Sequence, residues 1–226
     1  MKNWMPILEN QTLFTGFDSQ TISRLLEQAD ARLVTVPRGQ TAFHFESRPA
    51  SLCLLLQGYA VATQTAETHR DRIYAQFSPG DLLSVFPQQS APPQMQILAC
   101  TELTLLVFSA DTLLHTQAIP LETRLLFSQN FASLTARQYA ALFDRIRCLT
   151  AQTLREKILQ YLHAEAERQH SLTFSIPLDR ASLAAYLNAD RSALSRELSQ
   201  MKQEGLVDFY KNSFKLTPSH DSERKS

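Results

Sequence analysis

DRASLAAYLNADRSALSRELSQMKQEGLVDFYKNSFKL, residues Asp179–Leu216, is the stretch on which the reading of the chain turns, because its periodicity spells four elements in immediate succession. Asp179 suits an N-cap, its carboxylate accepting from first-turn amides, and Leu183, Ala184 and Leu187 then fall on one face of a short helix. Asn188 breaks that helix, since asparagine enters a left-handed backbone more readily than most residues and so supplies a sharp turn. Asp190 caps a second helix in which Leu194, Leu198 and Met201 point inward and Arg191, Ser192, Ser195, Arg196, Gln200 and Lys202 take the other faces, until Gly205 ends it. Leu206, Val207, Phe209 and Tyr210 read as a strand, Lys211–Ser213 as a turn and Phe214–Leu216 as the return strand. Helix, turn, helix and hairpin in that order predict a winged helix-turn-helix.

The division of faces carries the functional expectation. A helix whose exposed first turns hold Arg191, Ser192, Ser195 and Arg196 is suited to a major groove, offering guanidinium forks and shorter hydroxyls to base edges and phosphates. Lys202 lies beside them, and Lys211 and Lys215 on the hairpin are expected to meet phosphate. The competing reading is a small packing module with solvated charges, for which the placed glycine stop and hairpin are coincidence. Charge gives no general pull toward a polyanion, because Lys+Arg and Asp+Glu both total 22. Between Arg180 and Lys215, six basic residues (Arg180, Arg191, Arg196, Lys202, Lys211, Lys215) face four acidic ones (Asp190, Glu197, Glu204, Asp208). Two copies double that modest excess and add avidity, so sequence-specific binding to double-stranded DNA by a homodimer is expected.

Upstream, Pro120 suits a first helical turn, and no glycine or proline interrupts Leu121–Leu149. Leu121, Leu125, Ser128, Ala132, Thr135, Tyr139, Leu142, Ile146 and Leu149 follow steps of four and three, with Phe127, Phe131, Leu134 and Ala141 as a second stripe. Two stripes call for two partners, the chain's own N-terminal domain and the same helix of a second chain; a central helix of a monomer is the alternative. Thr150 is read as the cap of a following helix, Thr153–His170, with its core face at Leu154, Ile158, Leu159 and Leu162, and the hinge as Leu149–Thr150.

The first hundred residues behave differently. An amphipathic helix over Phe17–Ala29 buries Ile22, Leu25 and Leu26, and short apolar runs follow at Arg32–Val36, Gln40–Phe45, Ser51–Gln57, Tyr59–Thr65, Ile73–Phe77, Gln94–Ala99 and Leu103–Phe108. Pro37-Arg38-Gly39, Gln57-Gly58, Ser78-Pro79-Gly80 and Ala91-Pro92-Pro93 punctuate them, which predicts a small antiparallel β-roll or jelly roll with an interior pocket. The expected class is α+β: an effector-sensing roll over 1–119, a long dimerisation helix over 120–149, the winged helix-turn-helix over 150–218 and a polar tail over 219–226. No apolar run approaches the ~20 residues that span a bilayer, and MKNWMPILENQ lacks a leader's features, so no membrane partner and a cytoplasmic location are expected. Cys53, Cys100 and Cys148 have neither disulfide-framework nor zinc spacing.

The run LAAYLNADRSALSRELSQMKQEGLVDFYKNSFKL resembles the C-terminal domain of the bacterial CRP/FNR family of transcription regulators, in which a leucine-alanine helix, a turn, an S-R-x-L helix and an E-G-L-hydrophobic exit recur. The resemblance in organisation extends over nearly the whole chain, and it implies a cyclic-nucleotide-binding-like roll, a dimerisation helix and control by a bound effector. SLCLLLQGYAVAT resembles the strand-glycine-strand signature of such rolls, and FSPGDLLSVF the opening of their phosphate-binding cassette. Members that bind cyclic AMP place glutamate after that glycine and an arginine on the phosphate. Here Asp81 follows Gly80, Ala91 and Pro92 stand where the arginine and its neighbour belong, and no arginine occurs between Arg72 and Arg124. A phosphate buried without its charge-assisted partner binds orders of magnitude more weakly, so cyclic AMP is not the expected effector.

An unknown small effector, apolar or aromatic, is expected instead beside Gly80, Asp81, Leu82, Leu83 and Phe86, with Gln138 and Tyr139 relaying occupancy; the competing reading makes Leu83, Val85 and Phe86 ordinary core. An iron–sulfur cluster lacks clustered cysteines before Cys53, and haem would rest on a lone His44, His69 or His115, so neither cofactor is expected. No charge pattern activates a cysteine as a thiol switch. Ser192 stands where many relatives carry a glutamate that accepts from cytosine, which implies a palindrome different from the commoner half-sites. RNA polymerase is a further candidate partner. Two other classes compete: a metal-dependent cupin-like enzyme, for which His44-Phe45-Glu46 is a poor ligand set, and a ligand-free winged module that binds protein. With no P-loop, nucleophile elbow or zinc-protease helix, an enzyme is not expected.

Overall fold

The run LCLLL is apolar at every position, which a strand buried on one face does not require. The computed structural model, which describes residues 4–44, 51–64, 72–83 and 95–217, gives the reason. Strands β1 (Arg32–Val36), β2 (Thr41–His44), β3 (Leu52–Gln57), β4 (Ala60–Gln64), β5 (Arg72–Phe77), β6 (Met95–Ala99) and β7 (Leu103–Phe108) form two sheets, ordered β1-β7-β3 and β2-β6-β4-β5. The ladders are antiparallel, with Val34 opposite Leu105 and Leu54 opposite Leu106. The β1-β7-β3 sheet is covered on both sides. Cys53, Leu55, Leu103 and Leu105 share a core with Ala60, Ala62, Ile97 and Ala99 of the facing sheet. The intervening Leu52, Leu54, Leu56, Leu106 and Phe108 join a second core with residues of the helices, since successive strand side chains point to opposite faces. Between β3 and β4, Gly58 has φ +95° and lies against the Glu102 carbonyl, where any Cβ would collide.

The chain divides into two compact units, Met1–Thr65 with Tyr74–Ala140, and Ala66–Ile73 with Ala141–Ser226. Helices cover the outer face of the roll in the first. These are α1 (Met5–Glu9), a 3-10 turn at Thr12–Phe14, and α2 (Ser19–Gln28), capped by Asp18, which accepts from the Thr21 amide at 2.7 Å. After α3 (Ala110–His115) comes the long α4 (Leu121–Thr150). From α4, Phe127 and Leu134 enter the helix-side core, Phe131 packs against it, and the Phe108 and Phe127 rings meet edge-on at 6.4 Å.

The second unit holds α5 (Leu154–Arg168), β8 (Thr173–Ser175), α6 (Arg180–Tyr186), α7 (Arg191–Gln203), β9 (Val207–Tyr210) and β10 (Ser213–Leu216), with the sheet ordered β8-β10-β9. Its core is made by Ile158, Leu162, Phe174, Leu183, Leu187, Leu194, Leu198, Met201 and Phe214, all buried.

Several points differ from the sequence reading. Thr150 caps nothing: its hydroxyl donates to the Ile146 carbonyl at 2.9 Å, so it ends α4. The next helix is capped by Thr153 in a reciprocal box with Glu156, and the break between helices therefore falls at residues 151–153, not Leu149–Thr150. Ala141 is exposed rather than part of the packed stripe. Ser213 is the first residue of β10, paired with Tyr210, which shortens the hairpin loop to Lys211 and Asn212. Helices α1 and α3 and strand β8 are additional. Phe45, Glu46, His69, Val85, Phe86, Ala91, Pro92 and the 219–226 tail lie outside the described residues.

Candidate nucleic-acid interface

The helix-turn-helix is built by its caps. The Asp179 carboxylate accepts from the Ser182 amide at 2.8 Å, a bond that holds its pKa below the ordinary aspartate value. Asn188 takes φ +50°, the left-handed turn expected between the helices. Asp190 Oδ1 accepts from the amides of Ser192 at 2.8 Å and Ala193 at 3.0 Å and from the Ser192 hydroxyl at 2.5 Å. At the far end Gly205 has φ +74° and stops α7.

Leu194, Leu198 and Met201 bury one face of α7 completely. The opposite face carries Arg191, Ser192, Ser195 and Arg196, all exposed. Arg196 has no hydrogen bond or ion pair among the described residues, while Arg191 lies near enough to Asp179 to help hold that carboxyl low. The serines differ. Ser192 Oγ donates to Asp190 and Ser195 Oγ donates to the Arg191 carbonyl at 3.0 Å, so what they retain for a base edge is acceptor capacity. Lys202 is engaged: its Nζ pairs with Asp208 Oδ1 at 2.6 Å and donates to the Phe209 carbonyl at 3.3 Å, tying α7 to the wing. Lys215 is exposed, and Lys211 is exposed at the hairpin loop with φ +52°.

Arg180 was counted in the sequence only as charge. Its guanidinium lies over the rings of Phe209, at 4.8 Å, and Phe214, at 4.9 Å, with Nη1 buried and unbonded among the described residues. It lines a recess of about 880 Å³ together with Arg191 and Lys211, between the starts of α6 and α7 and the wing. Arg145, also unforeseen, is a buried cation of α4 that donates to the Tyr186 carbonyl at 2.8 Å and stacks on that ring at 3.9 Å.

The residues expected at the effector site separate into two groups. Gly80, Asp81, Leu82 and Leu83 run along β3, with Gly80 N donating to the Leu55 carbonyl at 2.8 Å and Leu83 N to the Cys53 carbonyl at 2.8 Å. Leu82 and Leu83 are core residues, one in each of the two cores that flank the β1-β7-β3 sheet. Gln138 does reach this segment, donating to the Leu82 carbonyl at 2.9 Å, while its Oε1 is buried and unbonded among the described residues. Beside it Arg137 pairs with Asp81 at 3.7 Å and donates to the Gly80 carbonyl at 3.4 Å. Tyr139 is 61% exposed and belongs instead to the open stripe of α4, because adjacent helical residues diverge by about 100°. Cys53 and Cys148 are buried, and burial pushes the Cys148 thiol up, away from the reactive thiolate.

A winged helix-turn-helix with an open cationic face on its second helix, preceded in the chain by a two-sheet roll and a 30-residue helix, is the architecture of a DNA-binding module appended to a second domain. Residues 156–217 match the Crp-like helix-turn-helix domain. The transcriptional activator FnrL of Cereibacter sphaeroides is 26% identical over 182 residues, covering 75% of this chain and 69% of that protein. The fold is similar to FixK2 of Bradyrhizobium japonicum (TM-score 0.68, 18% identity, 85% of this chain and 96% of that one). It is also similar to a CooA mutant of Carboxydothermus hydrogenoformans (TM-score 0.70, 16% identity, 94% and 97%). The Crp-like match is confined to the C-terminal module, and over the rest of the chain the likeness to these proteins is one of fold. Among its described residues no helix is long and apolar enough to cross a membrane.

Proposed function

We propose that the protein acts as a homodimer on a palindromic DNA operator and is controlled by a small effector other than cyclic AMP. The observation that carries the DNA reading is the face of α7 on which Arg191, Ser192, Ser195 and Arg196 stand exposed while the opposite face is fully buried. Arg191 and Arg196 read base edges or their flanking phosphates, the two serines accept from base amino groups, and Arg180, Lys211 and Lys215 hold phosphate. Lys202 contributes mainly field, because its ammonium is already paired with Asp208.

The homodimer reading rests on α4. Leu121, Leu125, Tyr139, Leu142, Phe143 and Ile146 are all at least 40% exposed, an apolar face for which a second α4 is the natural cover. Ser128 and Thr135 suit that face, since their hydroxyls donate to the Arg124 and Phe131 carbonyls, each at 2.8 Å, and need no other partner. For the effector, support lies in Gln138, which bonds Leu82 and retains a buried acceptor. Effector binding shifts the population of dimers toward one whose recognition helices stand near one DNA turn apart, about 34 Å.

Selection of sequences from a random duplex library by the full-length protein, with sedimentation of the free protein, tests the reading. A two-fold symmetric enriched sequence and a dimer are expected. A monomer, or a library that emerges unenriched, overturns it.

A further inference from the structure

Two charges in the second unit sit where their own helices disfavour them. Arg155 is the second residue of α5, at the positive end of the helix dipole, and Glu204 is the C-cap of α7, at a negative end. Each is accounted for by the other. Arg155 Nη1 donates to Glu204 Oε2 at 2.5 Å and Nη2 to Glu204 Oε1 at 3.0 Å, a two-pronged contact that Gln200 Nε2 reinforces at 2.9 Å. Arg155 Nε donates to Glu197 Oε1 at 2.6 Å. One planar guanidinium thus grips two carboxylates seven residues, or about two turns, apart on α7.

This grip does what the core does not. Leu194, Leu198 and Met201 hold α7 against its module, but aliphatic packing is non-directional and methionine in particular adapts to altered neighbours. A rigid fork bonded at two levels fixes the rotation of the helix about its axis and its slide along α5. Rotation matters at the open face. A turn of about 15° moves a group at a radius of ~6 Å by ~1.5 Å, which exceeds the ~0.5 Å spread of good hydrogen-bond lengths. The same contact offsets one of the two carboxylate charges of Glu197 and Glu204 on the helix that meets the polyanion.

We propose that Arg155 is a positioning residue for sequence recognition: it sets the rotation of α7, so that discrimination between DNA sequences depends on it more than does DNA affinity in general. The inference rests on the DNA reading above and adds a determinant that does not touch the base. Arg155→Lys is the sharp test, since it keeps the charge and loses the fork. Glu197→Gln/Glu204→Gln strips the charge assistance from the same grip on the other side and guards against a single variant that misfolds.

The probes are the duplex most enriched by the wild-type protein and a random duplex of equal length, at one salt concentration. Both variants are expected to bind the enriched duplex at least about tenfold more weakly and to relax base preference in a repeated selection, while Arg155→Lys binds random duplex within about twofold of wild type. A merely structural role lowers both affinities together and leaves their ratio alone. An unchanged ratio in both variants, or equal losses on the two duplexes, overturns the inference. A wild-type protein that enriches no sequence overturns the DNA reading first, and the two failures are therefore distinct.

Discussion

Truncating Arg196 to alanine separates recognition from folding. In the free protein this side chain is exposed and, among the described residues, has no hydrogen bond or ion pair, so its removal costs less than about 0.5 kcal/mol of stability. Against DNA, a guanidinium on a base edge is worth about 1–3 kcal/mol. A symmetric dimer presents two, hence about 2–6 kcal/mol, and at ~1.4 kcal/mol per decade the operator is bound between about 30-fold and about 10⁴-fold more weakly. Fluorescence anisotropy with enriched and random duplexes, repeated across a salt series and paired with thermal melts, reads each component. A base contact leaves random-DNA affinity and the salt slope unchanged, whereas a phosphate contact lowers the slope by about 0.9 per half-site. Lys215→Ala provides the contrast, weakening all sequences alike. Equal losses on both duplexes for Arg196→Ala, or a melting point lowered by many degrees, would refute the reasoning.

Ile146→Asp places a carboxylate on a side chain 53% exposed in the free subunit, and it should convert the dimer to monomer in sedimentation with little change in helix content; a dimer that persists removes α4 as the interface. Leu198→Ala deletes three carbons from a fully buried site, about 2.4 kcal/mol of transfer energy plus a cavity term, for a total of about 3–5 kcal/mol measured by denaturant unfolding; a loss under about 1 kcal/mol would mean the recognition helix is not packed as described. The depressed Asp179 pKa means that its cap is worth most above the ordinary aspartate value of ~3.9 and is lost as pH falls through the lower folded-state value. Asp179→Ala should therefore cost about 1 kcal/mol at pH 7 and flatten the acid limb of the stability curve, which unfolding between pH 7 and 2 checks. Calorimetry with cyclic AMP should give no micromolar binding, and such binding would show that the missing arginine is replaced by another group.

Most of the winged module was legible because each step had a local chemical sign. Asp179, Asn188, Asp190 and Gly205 act on the backbone next to them, so their effect survives whatever packs around them. Leu194, Leu198 and Met201 needed only helical spacing. The strand β8 was missed though Thr173 to Ile176 alternates exposed and buried, since three residues make a weak pattern and the strand exists by pairing Phe174 with Phe214. The Thr150 cap failed because threonine at a helix end satisfies its hydroxyl equally well on the preceding turn, and only the Thr153–Glu156 box decides between them.

Contacts across long separations were not legible. Nothing in the local sequence ties Arg155 to Glu197 and Glu204, Lys202 to Asp208, or Arg145 to the Tyr186 carbonyl. For Arg155 a signal existed in hindsight: a cation in a first helical turn is at odds with the dipole and asks for a distant anion. At the expected effector site, the family resemblance suggested Gln138 and Tyr139 together as relays, yet the angle between adjacent helical positions sends only Gln138 to Leu82.

The sheet of β1, β7 and β3 is a partition one peptide layer thick. On β3, Cys53 and Leu55 look into the roll while Leu52, Leu54 and Leu56 rest in the same core as Phe127 and Leu134 of α4. Close-packed interiors compress little, so a molecule that swells or fills the inside of the roll displaces this wall rather than being absorbed by it. Pressure from within then arrives at the long helix without any dedicated wire, and changing residue volume on either side of the wall should alter how strongly the two are geared together.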